Sequence, residues 1–437
     1  MEFGRRTEEM LRFIGESPSA FHAVENLKAM AFAAGFCELR EEEEWTLAAG
    51  GKYFVTRNDS SIAAFCIPAG FDGEADGKEE GEGGAVTGFH IVAAHSDSPA
   101  FKIKENPEMK AEGGYVKLNT EKYGGMLLHT WFDRPLSAAG RIAVKEGGKI
   151  VTRLVNVDKD LLVIPSLAIH MSRGTDKGTE FNPQTDMLPI YALTGEENSF
   201  LETVAEAAGV DAEQILAHDL FLYVREKGRK VGKDGEFILS PRLDDLQCAF
   251  SAMTALTESG SGSCINVCAV FDNEEVGSGT RQGADSTFLA DVLGRIQEAF
   301  GKKDSWLRRN IARGFLISAD NAHAIHPAHP EKADPVNKPC LNGGIVIKYH
   351  GSQKYTTDSL TAARIKEICR EADVPVQAYT NRSDIAGGST LGNISTAHVS
   401  IPSADIGLAQ LAMHSAVETA GSRDTAYAIR MMKKFFE

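Results

Sequence analysis

The chain has 437 residues, of which 43% are hydrophobic and 24% charged, as in an ordinary globular protein long enough for two or three domains. Its formal net charge of -15 argues against a nucleic-acid partner, because phosphate binding needs concentrated Lys and Arg. No apolar run reaches the ~18 residues of a membrane helix, and the N-terminus shows no signal-peptide pattern. With seven scattered cysteines, mostly in apolar surroundings, the sequence predicts a cytoplasmic protein with free thiols and no membrane partner.

The N-terminal third combines one helical segment with strand-like runs. Residues 17–36 begin with Ser-Pro-Ser and predict a helix, because apolar residues recur at helical spacing. These residues are Phe21, Val24, Leu27 and Met30. Three strand-like runs follow, KYFVTRN, SIAAFCIPA and GFHIVAAHSDSP. The acidic stretch 70–84 is predicted to be a flexible loop, to which no function is assigned.

Residues 100–236 have a different sequence pattern, in which short segments of alternating apolar and polar residues are separated by glycine-containing turns. The segments include FKIKENPEMK, YVKLNTEKYGG, MLLHTWFD and LFLYVREKGRK. The run VKEGGKIV predicts a β-hairpin. We therefore predict an inserted β-rich domain at 100–236, flanked by two segments, 1–99 and 237–437, that together form one catalytic domain.

Beyond residue 237, apolar strands alternate with helices. The predicted strands are SCINVCAVFDN, GFLISADNAHA, GGIVIKYHG, VQAYTN and TAHVSIPSADI. The predicted helices are DDLQCAFSAMTALTESG, STFLADVLGRIQEAFG, SLTAARIKEICREADV and a long C-terminal helix. This alternation predicts an α/β fold with a mainly parallel sheet sandwiched by helices. Ligands of such sheets gather at the carboxyl ends of the strands, so polar residues there are the candidates for a site.

Five transitions between elements each bring a side chain that can bind a metal. They are His95 with Asp97, Asp244 with Asp245, Glu274 with Glu275, Asp320 with His323 and His326, and finally His414. Taken singly, each has an ordinary structural explanation, since Asp caps helices and forms turns and His packs in cores. Together they need another explanation, because clustered carboxylates repel one another unless a cation lies among them.

The charges of this set favour two divalent cations. Three carboxylates, two neutral imidazoles and one hydroxide would nearly neutralise such a pair, with Asp244 as the bridging ligand and one His and one further carboxylate for each ion. The ligands in this scheme are His95, Asp244, Glu275, Asp320 and His414. Mixed imidazole and carboxylate ligands suit Zn²⁺, with Mn²⁺ and Co²⁺ as alternatives.

Two acidic residues beside these ligands are left free of metal. Glu274 precedes the ligand Glu275, and a free carboxylate beside the metals is what a general base for water requires. Asp97 lies two residues after His95 and could hold the second nitrogen of its imidazole. The nearby Asp272 is assigned only a role in capping the turn.

Six motifs carry a family resemblance, and they follow the family's order along the chain. They are HSDSP (95–99), SPRLDDLQ (240–247), FDNEEVGS (271–278), SADNAHAIHP (318–327), GGSTLG (387–392) and LAMHSAVE (411–418). Together they resemble the aspartyl aminopeptidase and vacuolar aminopeptidase family of dizinc metallopeptidases, from about residue 15 to the C-terminus. The resemblance implies a two-zinc catalytic α/β domain interrupted by a β-rich dimerisation domain, and a homo-oligomer that is a tetrahedral dodecamer built from dimers.

The resemblance also implies roles for single residues. The metal ligands it implies are His95, Asp244, Glu275, Asp320 and His414, with Glu274 as the general base and Asp97 as the residue that orients His95. His170, within the predicted insert, would act in the active site of a neighbouring subunit. The positions that would line the substrate pocket are His323, Lys348, Tyr355 and Gly388.

These residues predict a metallo-aminopeptidase that acts on peptides with a free N-terminus. A preference for N-terminal Asp or Glu is expected if Lys348 pairs with the acidic side chain. The loop at 380–392 lacks the Pro-Cys-Gly sequence of acid-specific relatives, so specificity for neutral residues such as Leu or Met is the alternative. Two rival hypotheses are a dizinc carboxypeptidase or N-acyl deacylase, and a self-assembling protein without catalytic activity.

Overall fold

The computed structural model describes residues 2–71, 88–171, 180–193, 199–260, 262–388 and 390–437. Most of the predicted acidic loop, residues 72–84, lies outside these ranges. Within them, no helix is both long enough and apolar enough to cross a bilayer. All seven cysteines are free thiols, while the cytoplasmic location stays a prediction.

The N-terminal elements confirm the predicted helix and the three predicted strands and add one further helix and one short strand. They are α1 (Glu2–Gly15), α2 (Ala20–Ala33), β1 (Cys37–Leu39), β2 (Lys52–Arg57), β3 (Ser61–Cys66) and β4 (Phe89–His95). Helix α2 begins after Ser19 because the Ser19 hydroxyl accepts a hydrogen bond from the backbone N–H of His22. Helix α1 was not predicted, although Met10, Phe13 and Ile14 form a buried apolar face on it.

A separate antiparallel sheet follows. The elements of this part of the chain are β5 (Ala100–Lys110), β6 (Val116–Tyr123), β7 (Leu136–Glu146), β8 (Lys149–Asn156), β9 (Ile190–Ala192), α3 (Ser199–Ala208), β10 (Ile215–Val224) and β11 (Arg229–Val231). Among the described residues, six strands pair in the order β8-β7-β10-β5-β6-β9. The predicted hairpin is confirmed, since β7 and β8 are joined by Gly147 and Gly148 with φ of 56° and 83°.

Two details of this region differ from the prediction. MLLHTWFD is not a strand, because Leu128–Trp131 forms a 3-10 helix whose Trp131 side chain is buried against Phe101. Strand β11 lies within the predicted insert at 100–236 but pairs with β12 (Phe237–Ser240), which belongs to the larger sheet. The division of the chain into domains stays a prediction.

The remaining elements include the predicted strands and helices, with further elements between them. They are α4 (Leu243–Glu258), β13 (Ile265–Phe271), α5 (Phe288–Ala299), α6 (Asp304–Arg313), β14 (Phe315–Ala319), β15 (Ala322–His323), β16 (Ile345–Tyr349), α7 (Ser359–Glu371), β17 (Val376–Thr380), α8 (Leu391–Ser395), β18 (Ser403–Leu411), β19 (Glu418–Gly421) and α9 (Asp424–Phe436). The predicted strand TAHVSIPSADI is only partly correct. Its strand begins at Ser403, directly after Pro402, which has no N–H to donate to a ladder.

The large sheet is mixed, so the prediction of a mainly parallel sheet is correct for its centre but not for its flanks. Strands β13, β4, β14 and β18 form a parallel centre, and β3 and β19 flank it with antiparallel pairs. The antiparallel pair of β18 and β19 is joined by the short segment 412–417, whereas β3 and β13 are far apart in sequence. Apolar clusters cover both faces of this centre, with α4 and α9 on one face and α5 and α6 on the other. The carboxyl ends of the central strands therefore stay open for a site.

Candidate active site

The predicted metal-binding side chains converge at the carboxyl end of the parallel centre. His95 is the last residue of β4, and it is in register with Phe271, the last residue of β13. Glu274 and Glu275 follow β13 in a short 3-10 turn, while Asp320 comes directly after β14. The other two residues come from the first turn of α4 and from the loop after β18, and they are Asp244 and His414. The fold thus brings together groups up to several hundred positions apart in sequence.

Asp244 lies between two histidines. One carboxylate oxygen, Oδ1, is 3.4 Å from Nε2 of His95, and the other, Oδ2, is 3.5 Å from Nε2 of His414. His414 Nε2 is also 3.4 Å from Oε2 of Glu275. Two groups of candidate ligand atoms within 4.8 Å of one another therefore share Asp244. These groups are His95, Asp244, Asp245 and Asp320, and Asp244, Glu275 and His414.

The electrostatics of these carboxylates fit a cation site. Burial, reinforced by Asp244, raises the pKa of Glu275, and burial raises the pKa of Asp320. Burial also acts on Asp244, but pairing with His414 and His95 outweighs it and lowers the pKa of that carboxyl. Oδ1 of Asp244 and Oε1 of Glu275 are buried without a hydrogen-bond partner among the described residues. Unpartnered carboxylate oxygens beside imidazole nitrogens are a donor set that suits zinc.

Asp97 contacts the backbone of both glutamates as well as His95. The His95 Nδ1 nitrogen is 3.1 Å from the Asp97 carbonyl oxygen and 3.4 Å from its Oδ1. Since a carbonyl can only accept, Nδ1 carries a proton, which leaves Nε2 as the nitrogen that could bind a metal. The Asp97 carboxylate accepts hydrogen bonds from the backbone N–H groups of Glu274 at 3.1 Å and Glu275 at 3.2 Å.

Glu274 is half-buried beside the cluster, grouped with His95 and Glu275. Burial raises its pKa to about 7, with Asp320 reinforcing and His95 opposing that shift. A carboxyl with a pKa near neutrality can both accept and return a proton. The neighbouring Asp272 is buried and accepts a hydrogen bond from the N–H of Asn273, which is a local turn contact.

Lys348 and Tyr355 are buried together next to the cluster. The Lys348 Nζ atom is 3.5 Å from Oδ2 of Asp320 and 5.6 Å from the centre of the Tyr355 ring. His323, on β15, is exposed, with its ring centre 6.2 Å from that of Tyr379. These residues place a positive charge and aromatic surface beside the predicted metal ligands.

Two predicted site residues lie apart from this cluster. His170 is exposed in a turn that ends where residues 172–179 leave the described part of the chain. Gly388 is an exposed loop residue, and a β-carbon added there would meet no described atom within 4 Å. The described contacts bring neither residue to the metal-binding groups.

Sequence reasoning missed one buried acid and gave no role to another. The Glu418 carboxylate accepts hydrogen bonds from the N–H of Asp244 at 3.0 Å and of His414 at 2.8 Å. The carboxylate of Asp245 accepts a hydrogen bond from the N–H of His95 at 3.2 Å. The signal for Glu418 was its place at the end of the motif LAMHSAVE, where only the histidine was assigned.

Comparisons with known proteins agree with this geometry. A model of the family described as aminopeptidase I zinc metalloprotease (M18) matches residues 13–436. The chain is 47% identical to the probable M18 family aminopeptidase 2 of Clostridium novyi over 98% of both chains. It is 45% identical to the protein of the same name from Clostridium acetobutylicum, over 100% of this chain and 99% of that protein.

Solved structures give the same result. Ape4, in a complex with Nbr1, is similar with a TM-score of 0.94 and 37% identity, over 100% of this chain and 86% of that one. The S. cerevisiae mApe1 dodecamer is similar with a TM-score of 0.84 and 27% identity, over 100% of this chain and 97% of that one. The chain therefore belongs to the M18 family of zinc metallo-aminopeptidases and is a hydrolase.

Proposed function

We propose that the enzyme uses two zinc ions, with Asp244 shared between them. The observation that carries this proposal is the position of Asp244, whose two carboxylate oxygens face different histidines at 3.4 and 3.5 Å. His95 and Asp320 would complete one site, and His414 and Glu275 the other. Two divalent charges would also offset the mutual repulsion of these buried carboxylates.

We propose Glu274 as the general base. Zinc bound at this cluster would supply Lewis acidity, which polarises the scissile carbonyl and makes water more acidic. The Glu274 carboxylate would take a proton from water and deliver it to the amine of the departing peptide. Asp97 would hold His95 in the tautomer that leaves Nε2 free, through the contacts of Nδ1.

The Glu274→Gln variant tests this assignment. Gln is close in size to Glu but cannot carry the proton, so we expect zinc content to stay at two per chain while kcat falls roughly 10²-fold or more. The measurements are metal analysis and peptidase kinetics on one sample. The exposed Glu112 serves as a control, since Glu112→Gln should change neither quantity. Wild-type turnover in zinc-loaded Glu274→Gln would remove Glu274 from this role.

The nature of the substrate separates this proposal from its rivals. An aminopeptidase should cleave a peptide with a free N-terminus and leave its N-acetylated form intact. A carboxypeptidase would cleave both peptides, and a deacylase would release acetate from the blocked one. Full activity after removal of the metal with phenanthroline would contradict the use of zinc altogether.

We further propose a preference for N-terminal Asp or Glu. The buried ammonium group of Lys348 supports it, because this group lies beside Tyr355 at the edge of the cluster and would pair with an acidic side chain. A preference for neutral residues such as Leu or Met remains the alternative, since Lys348 also faces Asp320.

We also propose that the chain assembles into a tetrahedral dodecamer built from dimers, and that His170 acts in the active site of a neighbouring subunit. Large apolar side chains support assembly because they are exposed around His170, with Ile169 64% and Met171 75% accessible. The exposed position of His170 itself, away from its own cluster, agrees with a role across a subunit boundary.

A further inference from the structure

The segment 123–130 connects the six-stranded sheet to the candidate active site, and we refer to it as the strap. It begins at Tyr123, the last residue of β6, and runs into the 3-10 helix Leu128–Trp131. No residue of the strap is a candidate metal ligand. The strap nevertheless contacts candidate ligands, and it also contacts residues that form hydrogen bonds with those ligands.

At its first residue, the strap contacts Asp97. The Tyr123 hydroxyl donates a 2.7 Å hydrogen bond to Oδ2 of Asp97 and accepts one from Nδ2 of Asn273 at 2.8 Å. Asp97 Oδ2 is also the oxygen that accepts the N–H of Glu275. The hydroxyl therefore fixes one oxygen of the carboxylate whose other oxygen faces His95 Nδ1 at 3.4 Å.

The next residues of the strap pass directly over Glu275 and His414. Gly124 has a φ of +77°, and a β-carbon there would lie 3.1 Å from Cβ of Glu275. A β-carbon on Gly125 would lie 3.9 Å from Nδ1 of His414. The positive φ and the close approach to Glu275 explain the glycine at 124, while the contact at Gly125 is an ordinary van der Waals distance.

The end of the strap contacts the backbone of the His414 loop. The N–H of Leu127 donates to the carbonyl oxygen of His414 at 3.0 Å, and Oγ1 of Thr130 accepts the N–H of Ala416 at 2.9 Å. Contacts are thus made along the whole strap, from the His95 side of the cluster to the His414 side.

We propose that the strap positions the metal-binding groups within the same chain, and that Tyr123 is its principal positioning residue. This inference rests on the ligand set proposed above. Without the hydroxyl, Asp97 could rotate, and the rotation would loosen both the His95 imidazole and the backbone of Glu275. Partners that hold the ligands of a metal in this way typically change its affinity 10–100-fold, although they never touch it.

The Tyr123→Phe variant isolates the hydroxyl. Phe keeps the edge-to-face contact with Phe221, whose ring centre is 5.4 Å away, and it is smaller than Tyr, so no strain is introduced. We expect zinc affinity, measured by competition with a chelator, to fall roughly 10–100-fold. The visible absorption spectrum of the Co²⁺-substituted protein should change as well, because it reports ligand geometry directly.

The matched control is Tyr191→Phe on β9 of the same sheet, which removes a hydroxyl that lies 2.9 Å from Oγ1 of Thr203 on α3. Its zinc affinity and cobalt spectrum should equal those of the wild type. Wild-type affinity and spectrum in Tyr123→Phe would overturn the role of the strap.

Asp244→Asn separates this inference from the proposed ligand set. If Asp244→Asn loses zinc while Tyr123→Phe keeps it with wild-type affinity, the ligand set stands and the strap inference fails. If Asp244→Asn retains wild-type affinity, the ligand set itself is wrong and the inference built on it falls with it.

Discussion

At the scale of single residues, two buried acids hold the candidate ligands through backbone N–H groups. Asp97 accepts from Glu274 and Glu275, and Glu418 accepts from Asp244 and His414. A carboxylate has about four acceptor positions, so one side chain can fix two peptide groups at once. These contacts hold in place the backbone of acidic residues that would otherwise move apart by repulsion.

The proposed specificity requires Lys348 to pair with the acidic side chain of the substrate and not only with Asp320. Met keeps an unbranched side chain close to Lys in size but lacks its charge, so Lys348→Met should lower the ratio of kcat/KM for N-terminal Asp over N-terminal Leu. A hydrogen bond to a charged group contributes about 1.5–3 kcal/mol, which corresponds to a fall in this ratio of roughly tenfold or more. The measurement is a kinetic comparison of matched Asp and Leu substrates.

A nearby lysine supplies the control for this experiment. Lys354 donates to the carbonyl oxygen of Gly387 at 3.2 Å, so Lys354→Met removes a charge without removing a partner of Asp320. We expect its substrate ratio to match that of the wild type. An equal fall in kcat/KM for both substrates in Lys348→Met would mean that Lys348 acts only through Asp320. That result would contradict its role in specificity.

At the scale of elements, the correctly predicted parts of the fold are those that depend on local sequence patterns. Strand β13 is buried throughout and ends in acids, a combination that points to a cation. The mixed character of the large sheet was not predictable in this way, because strand direction is set by long-range pairing. Tyr123 gave no signal either, since it ends an ordinary strand and its partner Asp97 lies 26 positions earlier.

The packing of α9 on β4 gives a prediction about pH. The His90 ring stacks on Phe435 at 4.4 Å, and Nε2 of His90 lies 3.0 Å from Nη2 of Arg364. Arginine only donates, so His90 accepts and is neutral. Burial, reinforced by Arg364, lowers the pKa of His90 to about 4 from its ordinary 6.5. Between pH 4 and pH 6.5, the His90 side chain is protonated in the unfolded chain but neutral in the folded one. The contribution of His90 to the free energy of unfolding is therefore lost as the pH falls from 6.5 to 4.

The variant His90→Gln keeps an acceptor for Arg364 but does not titrate. We therefore expect the melting temperature of the wild type, relative to this variant, to fall by roughly 2 °C between pH 7.5 and pH 5. Thermal unfolding at equal metal content is the measurement, and the exposed His326→Gln should show no such difference. If the melting temperature of the wild type instead rises relative to that of His90→Gln at pH 5, His90 is protonated in the folded protein.

At the scale of the whole molecule, the two sheets meet at the candidate active site. The strap joins the six-stranded sheet to the carboxyl end of the large one. Large exposed apolar side chains are also found in the stretch that contains the smaller sheet: Ile150, Leu167, Ile169, Met171, Leu193 and Leu216. Contacts between copies of the chain through this region would therefore bear on the active site through the strap.

Assembly can be tested by placing charge on this apolar surface. A dodecamer has twelve chains of 47.2 kDa each, and the double variant Ile169→Glu and Met171→Glu should reduce that mass because the new charges would have to be desolvated. Light scattering after size exclusion gives the mass. Leu360→Glu, at an exposed position of α7, is the control and should keep the wild-type mass.

The role of His170 across subunits has a sharper test, because two defective variants should repair each other. His170→Ala alone should keep the wild-type mass but lose about 10²-fold in kcat, the usual effect of removing a donor to a developing negative charge. Chains with His170→Ala retain Glu274, and chains with Glu274→Gln retain His170. If the histidine acts in the neighbouring subunit, mixed assemblies from co-expression contain some complete sites and regain activity. If it acts in its own subunit, every site in the mixture lacks one group, so activity no higher than that of the two separate variants would refute the role in trans.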